Sequence, residues 1–189
     1  MDEDFRHTIN DGRAQMDYDL IDERIKFGTS LIQGNYLFNP AFTKTQAAKM
    51  IELDTLFAFD NLIRNRDRNK RKPNLLVKGK SAYLIDHELG FEIEKNTIDD
   101  YHNGIWDASY YKYHIFWDYL KRSRNETKLH YFNTFNEYLR MLNLNSLDSH
   151  FQQLNEYGYS TVRHKIIKDY LADMKKNSSN FVNLLKKII

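Results

Sequence analysis

Apolar residues recur at helical spacing through most of this chain, and the departures from that spacing mark the stretch of interest. From Thr43 to about Asn65, Ala47, Met50, Ile51, Leu53, Leu56, Phe57, Phe59, Leu62 and Ile63 follow a helical period. The apolar face is broad, which predicts one helix buried on several sides. Beyond residue 106 the period returns. Helices are expected over Tyr110–Arg122, Lys128–Asn143, Ser146–Tyr157, Thr161–Lys176 and Asn180–Ile189, with a break at Asn177-Ser178-Ser179. Residues 92–106 read as a loop, as does Lys26–Gly34. Residues 1–24 are polar with scattered apolar positions and read as a short helix or a docked arm.

Between the central helix and the 92–106 loop the pattern changes. Leu75-Leu76-Val77 and Ala82-Tyr83-Leu84-Ile85 flank Lys78-Gly79-Lys80-Ser81, which predicts a β-hairpin. With its centre at Lys80, Asn74 and Asp86 fall six residues to either side and are expected to sit opposite each other. The fold class expected from these patterns is mainly α with a small β-hairpin.

Composition narrows the class. A chain of 189 residues with 14% aromatics, two prolines and seven glycines is expected to be one helical domain with a real core. It divides into a polar arm at 1–26, a core at 27–91 and a helical subdomain at 92–189. The absence of cysteine excludes disulfides and thiolate zinc sites. The seven histidines show no HxH or HExxH spacing, which argues against a histidine zinc site. No apolar run is long enough for a membrane span, and the acidic start, MDEDFRH, is unlike a signal peptide. The expected setting is the cytoplasm of a bacterium. A net charge of +2 gives no bulk attraction to nucleic acid or membrane.

The chemistry concentrates between residues 60 and 91. Asp67 lies among Arg64, Arg66, Arg68, Lys70, Arg71 and Lys72. Alone, such a run reads as a solvated loop or a nucleic-acid patch. Cations around a carboxylate favour its charged form, able to orient a hydroxyl. Asp86 directly follows an apolar strand, where a carboxylate needs a partner, either a metal ion or a side chain such as His87 or Arg68. His87 could orient that carboxylate. An amide and a carboxylate converging from Asn74 and Asp86 suit a hard cation such as Mg2+. Asp, then Asn, then Asp is the order that phosphoryl-transfer enzymes use to orient a hydroxyl and to hold magnesium.

At these residues the chain resembles the HipA-like kinases. The resemblance rests on Phe59-Asp60-Asn61-Leu62-Ile63-Arg64-Asn65-Arg66-Asp67-Arg68, then Pro73-Asn74-Leu75-Leu76, then Leu84-Ile85-Asp86-His87. It is close over residues 27–91, and the phosphoinositide lipid kinases show a looser form of the same order. It implies a protein-kinase-like C-terminal lobe that uses ATP and Mg2+, with Asp67 as the catalytic Asp and Asn74 and Asp86 as metal ligands. Two departures stand out. Related kinases place the Asn five residues after the Asp, where this chain has Lys72, and Asn74 comes seven after. His87-Glu88 replaces Phe-Gly. The short stretch before the central helix lacks a strand-rich pattern, so the N-terminal lobe is expected to be missing and a protein partner to supply it. The alternative expectation is an inactive lobe that binds a protein partner, antitoxin-like or substrate-like.

Overall fold

The computed structural model describes residues 32–189. The arm at 1–26 and most of the 26–34 loop lie outside them. The described residues fall into two compact units, Asn145–His164 on one side and Ile32–Leu144 with Lys165–Ile189 on the other.

The second unit carries the site. It opens with strand β1 (Tyr36–Leu37), followed by helices α1 (Lys44–Ala47) and α2 (Leu53–Leu62). The hairpin follows as β2 (Leu75–Lys78) and β3 (Ser81–Leu84). Helices α3 (Thr97–His102), α4 (Trp117–Lys121), α5 (Asn125–His130) and α6 (Asn133–Met141) come next. The first unit contributes α7 (Asn145–Glu156), and α8 (His164–Lys176) and α9 (Ser178–Ile188) end the chain. The architecture is mainly helical with one antiparallel sheet in the order β1-β2-β3. Among the described residues no helix is long and apolar enough to cross a membrane.

Three expected helices are shorter or broken, each for a visible reason. The 43–65 helix is interrupted. Thr43 and Gln46 form a capping box that starts α1, and an extended Glu52 restarts the helix as α2. At that restart the Asp54 carboxylate accepts the Phe132 amide at 2.7 Å. The same contact breaks the 128–143 helix, because Phe132 adopts φ +68° between α5 and α6. The 110–122 helix reduces to a 3-10 turn at Ala108–Tyr110 and to α4. Between them Ile115 donates its amide to the Arg68 carbonyl at 3.1 Å, and Asn69 and His114 form an isolated β-bridge. Tertiary bonding to the basic loop replaces the helical ladder there. The 92–106 loop contains α3.

Aromatic side chains build the core of the second unit. Phe38, Phe57, Phe116, Phe132, Tyr170 and Phe181 are fully buried. Phe116 meets Phe38 edge-on at 5.5 Å, and Phe57 stacks on Phe132 at 6.0 Å. The Tyr170 hydroxyl donates to the Leu62 carbonyl at 2.7 Å and so closes the end of α2 from α8. This packing fixes the end of α2, from which the basic loop departs.

Phe116→Ala should cost about 3–5 kcal/mol of stability in urea unfolding, the usual loss for a buried ring. Met141→Ala, at an exposed position on α6, should change it by no more than about 0.5 kcal/mol. Similar losses at both positions would contradict this core.

Candidate functional site

The hairpin differs from its expected register in one way that matters. Lys78 pairs with Ser81, so the turn is the two residues Gly79-Lys80, with Gly79 at φ +60°. Its centre lies between those residues instead of on Lys80. Leu75 therefore pairs with Leu84, and Asn74 stands opposite Ile85, whose amide it accepts at 3.2 Å. Asp86 falls one residue beyond the expected partner position. In regular strands a one-residue shift would send the two side chains to opposite faces. Both residues instead leave the sheet in left-handed backbone conformations, at φ +45° for Asn74 and +59° for Asp86. Asn and Asp tolerate that region best among residues with a Cβ.

Asp67, Asn74 and Asp86 come together through a residue to which the sequence reading gave no role. Lys72 Nζ lies 2.6 Å from Asp67 Oδ2 and 2.9 Å from Asp86 Oδ2. Asn74 Nδ2 donates to the same Asp67 oxygen at 3.0 Å. These hydrogen bonds, to Asp67 and then to Asp86, raise the Lys72 pKa above its ordinary value. Asp86 is thus partnered by Lys72 rather than by His87 or Arg68. The Asn74 contact uses its nitrogen, which leaves its oxygen as a donor to a cation. Among the described residues no group of three or more His, Cys, Asp or Glu gathers as a metal site. The candidate donors are two carboxylates and an amide. All are hard oxygens, and a positive charge already sits between the carboxylates, so this donor set fits Mg2+.

Behind this exposed front lies a buried polar frame. Arg68 and Asp60 are both fully buried, with Arg68 Nε 2.6 Å from Asp60 Oδ2. Arg68 Nη1 donates to the Asn74 carbonyl, and Nη2 donates to His87 Nε2 at 2.8 Å. His87 therefore braces Arg68 rather than orienting Asp86. Burial, and then the Arg68 charge, push the His87 pKa down, which suits an imidazole that must accept a hydrogen bond. His114 Nε2 donates to Asp60 Oδ2 at 3.0 Å, and Asn65 Nδ2 donates to Oδ1 at 3.0 Å. Asn65 Oδ1 in turn accepts the Asp67 amide at 3.0 Å. Burial alone would raise the Asp60 pKa. The hydrogen bond and charge of His114, and then Arg68, outweigh burial and hold it below the usual carboxylate range.

Asp60, Asn65, His114 and Lys72 are the residues that sequence reasoning left without roles, and Arg68, expected as a possible partner of Asp86, pairs with Asp60 instead. A signal for Asp60 was available, since a carboxylate on an apolar helix face needs a partner. His114 carried no such signal, because it comes from a segment that reads as helix.

Other charges ring the loop. Arg66 meets Glu92 at 3.0 Å and Lys70 meets Asp118 at 2.5 Å. Beside the loop, a cleft of about 530 Å3 is lined by Arg66, Asn69, Lys70, Arg71, Lys112 and Tyr113, among others. Four of its lining residues are Lys or Arg, and Asp118, the partner of Lys70, lines it too.

A carboxyl held below its free value stabilises the fold in full above about pH 4, and that stabilisation is lost as the pH falls through the folded-state value. Asp60→Asn should therefore cost about 3–5 kcal/mol at pH 7, as expected when one partner of a buried pair is removed. It should also flatten the loss of stability below about pH 4 in urea unfolding measured across pH. An acid limb as steep as that of the parent would show that another group governs it.

A family model for HipA-like kinases matches residues 7–176. No curated protein and no solved structure matches the chain. The family match takes in the 60–91 stretch, the helices that pack on it and α8. The chain belongs to the HipA-like kinase family.

Proposed function

We propose that this protein transfers the γ-phosphoryl group of Mg-ATP to a hydroxyl, with a protein serine or threonine as the acceptor. One observation carries the reading. Asp67 and Asp86, from two chain segments, share the Lys72 ammonium, and Asn74 donates to the same Asp67 oxygen. Kinase chemistry asks little covalent work of the protein and depends on positioning and charge.

In this reading Asp67 receives the acceptor. Its Oδ2 is taken by Lys72 and Asn74, whereas Oδ1 takes no hydrogen bond among the described residues. Oδ1 is then the atom that accepts the hydroxyl proton and aims the hydroxyl oxygen at the γ-phosphorus. That oxygen forms the new P–O bond, the bond between the γ-phosphorus and the β–γ bridging oxygen breaks, and ADP leaves. Asn74 and Asp86 would hold Mg2+, which when bound neutralises developing charge on the phosphates. Arg71 and Lys112, in the cleft beside the loop, suit acidic residues flanking the acceptor.

A nucleotide also needs a covering sheet and a lysine that grips its phosphates. In this proposal a protein partner supplies that sheet and lysine.

Asp86→Ala should abolish the rise in melting temperature given by Mg-ATP. Asp67→Ala should cut phosphoryl transfer by about 10³-fold or more, while that rise is retained. Equal loss of binding and transfer in Asp67→Ala would contradict the division of roles. If Mg-ATP leaves the parent's melting temperature unchanged, the reading itself fails.

A further inference from the structure

Lys72 takes a carboxylate oxygen of Asp86, one of the two residues that would hold the metal in this reading. Its ammonium contacts Oδ2 of Asp67 and Oδ2 of Asp86, so one positive charge of the chain itself already sits between the two carboxylates. A divalent cation on Asp86 and the ammonium would be like charges sharing one oxygen, and the two exclude each other. The contact is also easily given up. The Lys72 side chain is half exposed and sits on a four-carbon stem, and ion pairs exposed to water bind weakly. The network around Arg68 holds the loop by other bonds, so the ammonium can leave without unfolding it.

We propose that Lys72 is a displaceable internal cation that shuts the centre to free divalent ions and opens it to a divalent ion arriving with a polyphosphate. Without a ligand, the ammonium keeps Asp67 and Asp86 together against their mutual repulsion. A free cation that displaces it leaves Lys72 without a counter-charge. A metal–nucleotide brings one, because the polyphosphate offers the ammonium new oxygens while the metal takes Asp86. The residue therefore sets which form of the metal the centre accepts. The inference rests on the kinase reading for the nucleotide, and on geometry for the exclusion.

Its test is Mn2+ binding, followed by the electron paramagnetic resonance of the free ion and so independent of turnover. The parent is compared with Lys72→Met, Lys72→Arg and Lys80→Met, the last removing the same charge from the hairpin turn. Without nucleotide, Lys72→Met should bind Mn2+ about tenfold more tightly than the parent, as expected when a like charge leaves the site. Lys72→Arg and Lys80→Met should stay near the parent. The preference of the parent for Mn-ATP over free Mn2+ should narrow in Lys72→Met. Binding of free Mn2+ by Lys72→Met no tighter than by Lys80→Met overturns the inference, and leaves the kinase reading standing if Mn-ATP still binds the parent. If Mn-ATP binds none of the four proteins, both fall.

Discussion

The buried pair of Arg68 and Asp60 is the constraint on which the rest of this centre depends. Taking both charges out of water is costly, and well-packed apolar residues often serve stability as well. What the pair supplies is position. Asp60 sits on α2, whose end is fixed by Tyr170 and the aromatic core. Arg68 lies next to Asp67 and reaches the Asn74 carbonyl and His87, which neighbours Asp86. One guanidinium thus spans the helix, the loop, the entry to the hairpin and its exit. Each of its branches has an acceptor, as a buried guanidinium requires.

Charge is arranged in two layers. The inner layer of Asp60, Arg68, His114 and Asn65 is dry and fully bonded, and it can be rigid. The outer layer of Asp67, Asp86 and Lys72 is reached by solvent, and its contacts are those that a ligand can exchange. The backbone follows the same division. Among the described residues, Arg64, Asn74, Asp86 and Phe91 all have positive φ within this one stretch, which is where the chain changes direction around the frame. Such conformations persist only where the surroundings enforce them, and Arg68 together with the tie from the Phe91 amide to the Ile63 carbonyl does so here.

Much of this was legible in the sequence. The apolar period located α2, the strand pattern located β2 and β3, and the order of Asp67, Asn74 and Asp86 pointed to one centre. The errors came from contacts made across long stretches of chain. Periodicity runs through Phe132 and through 110–122 because their apolar residues do enter the core. It carries no sign that Asp54 takes the Phe132 amide, or that Ile115 donates to Arg68. Composition placed Lys72 in a charge run but could not pick it out from its neighbours, because only the folded loop directs that ammonium between two carboxylates. The turn of Gly79-Lys80 shifted the register by one residue, and left-handed residues at both ends offset the shift.

Asn74 and Asp86 are proposed to receive together the metal of a metal–nucleotide. Paramagnetic broadening of backbone amide resonances by Mn-ATP tests it directly and works even when binding is weak. The amides of Asn74, Asp86 and His87 should broaden first, before those near Asp118 or Glu92. Broadening that begins at Asp118 or Glu92, or that is absent from the 60–91 stretch at saturating Mn-ATP, would contradict it.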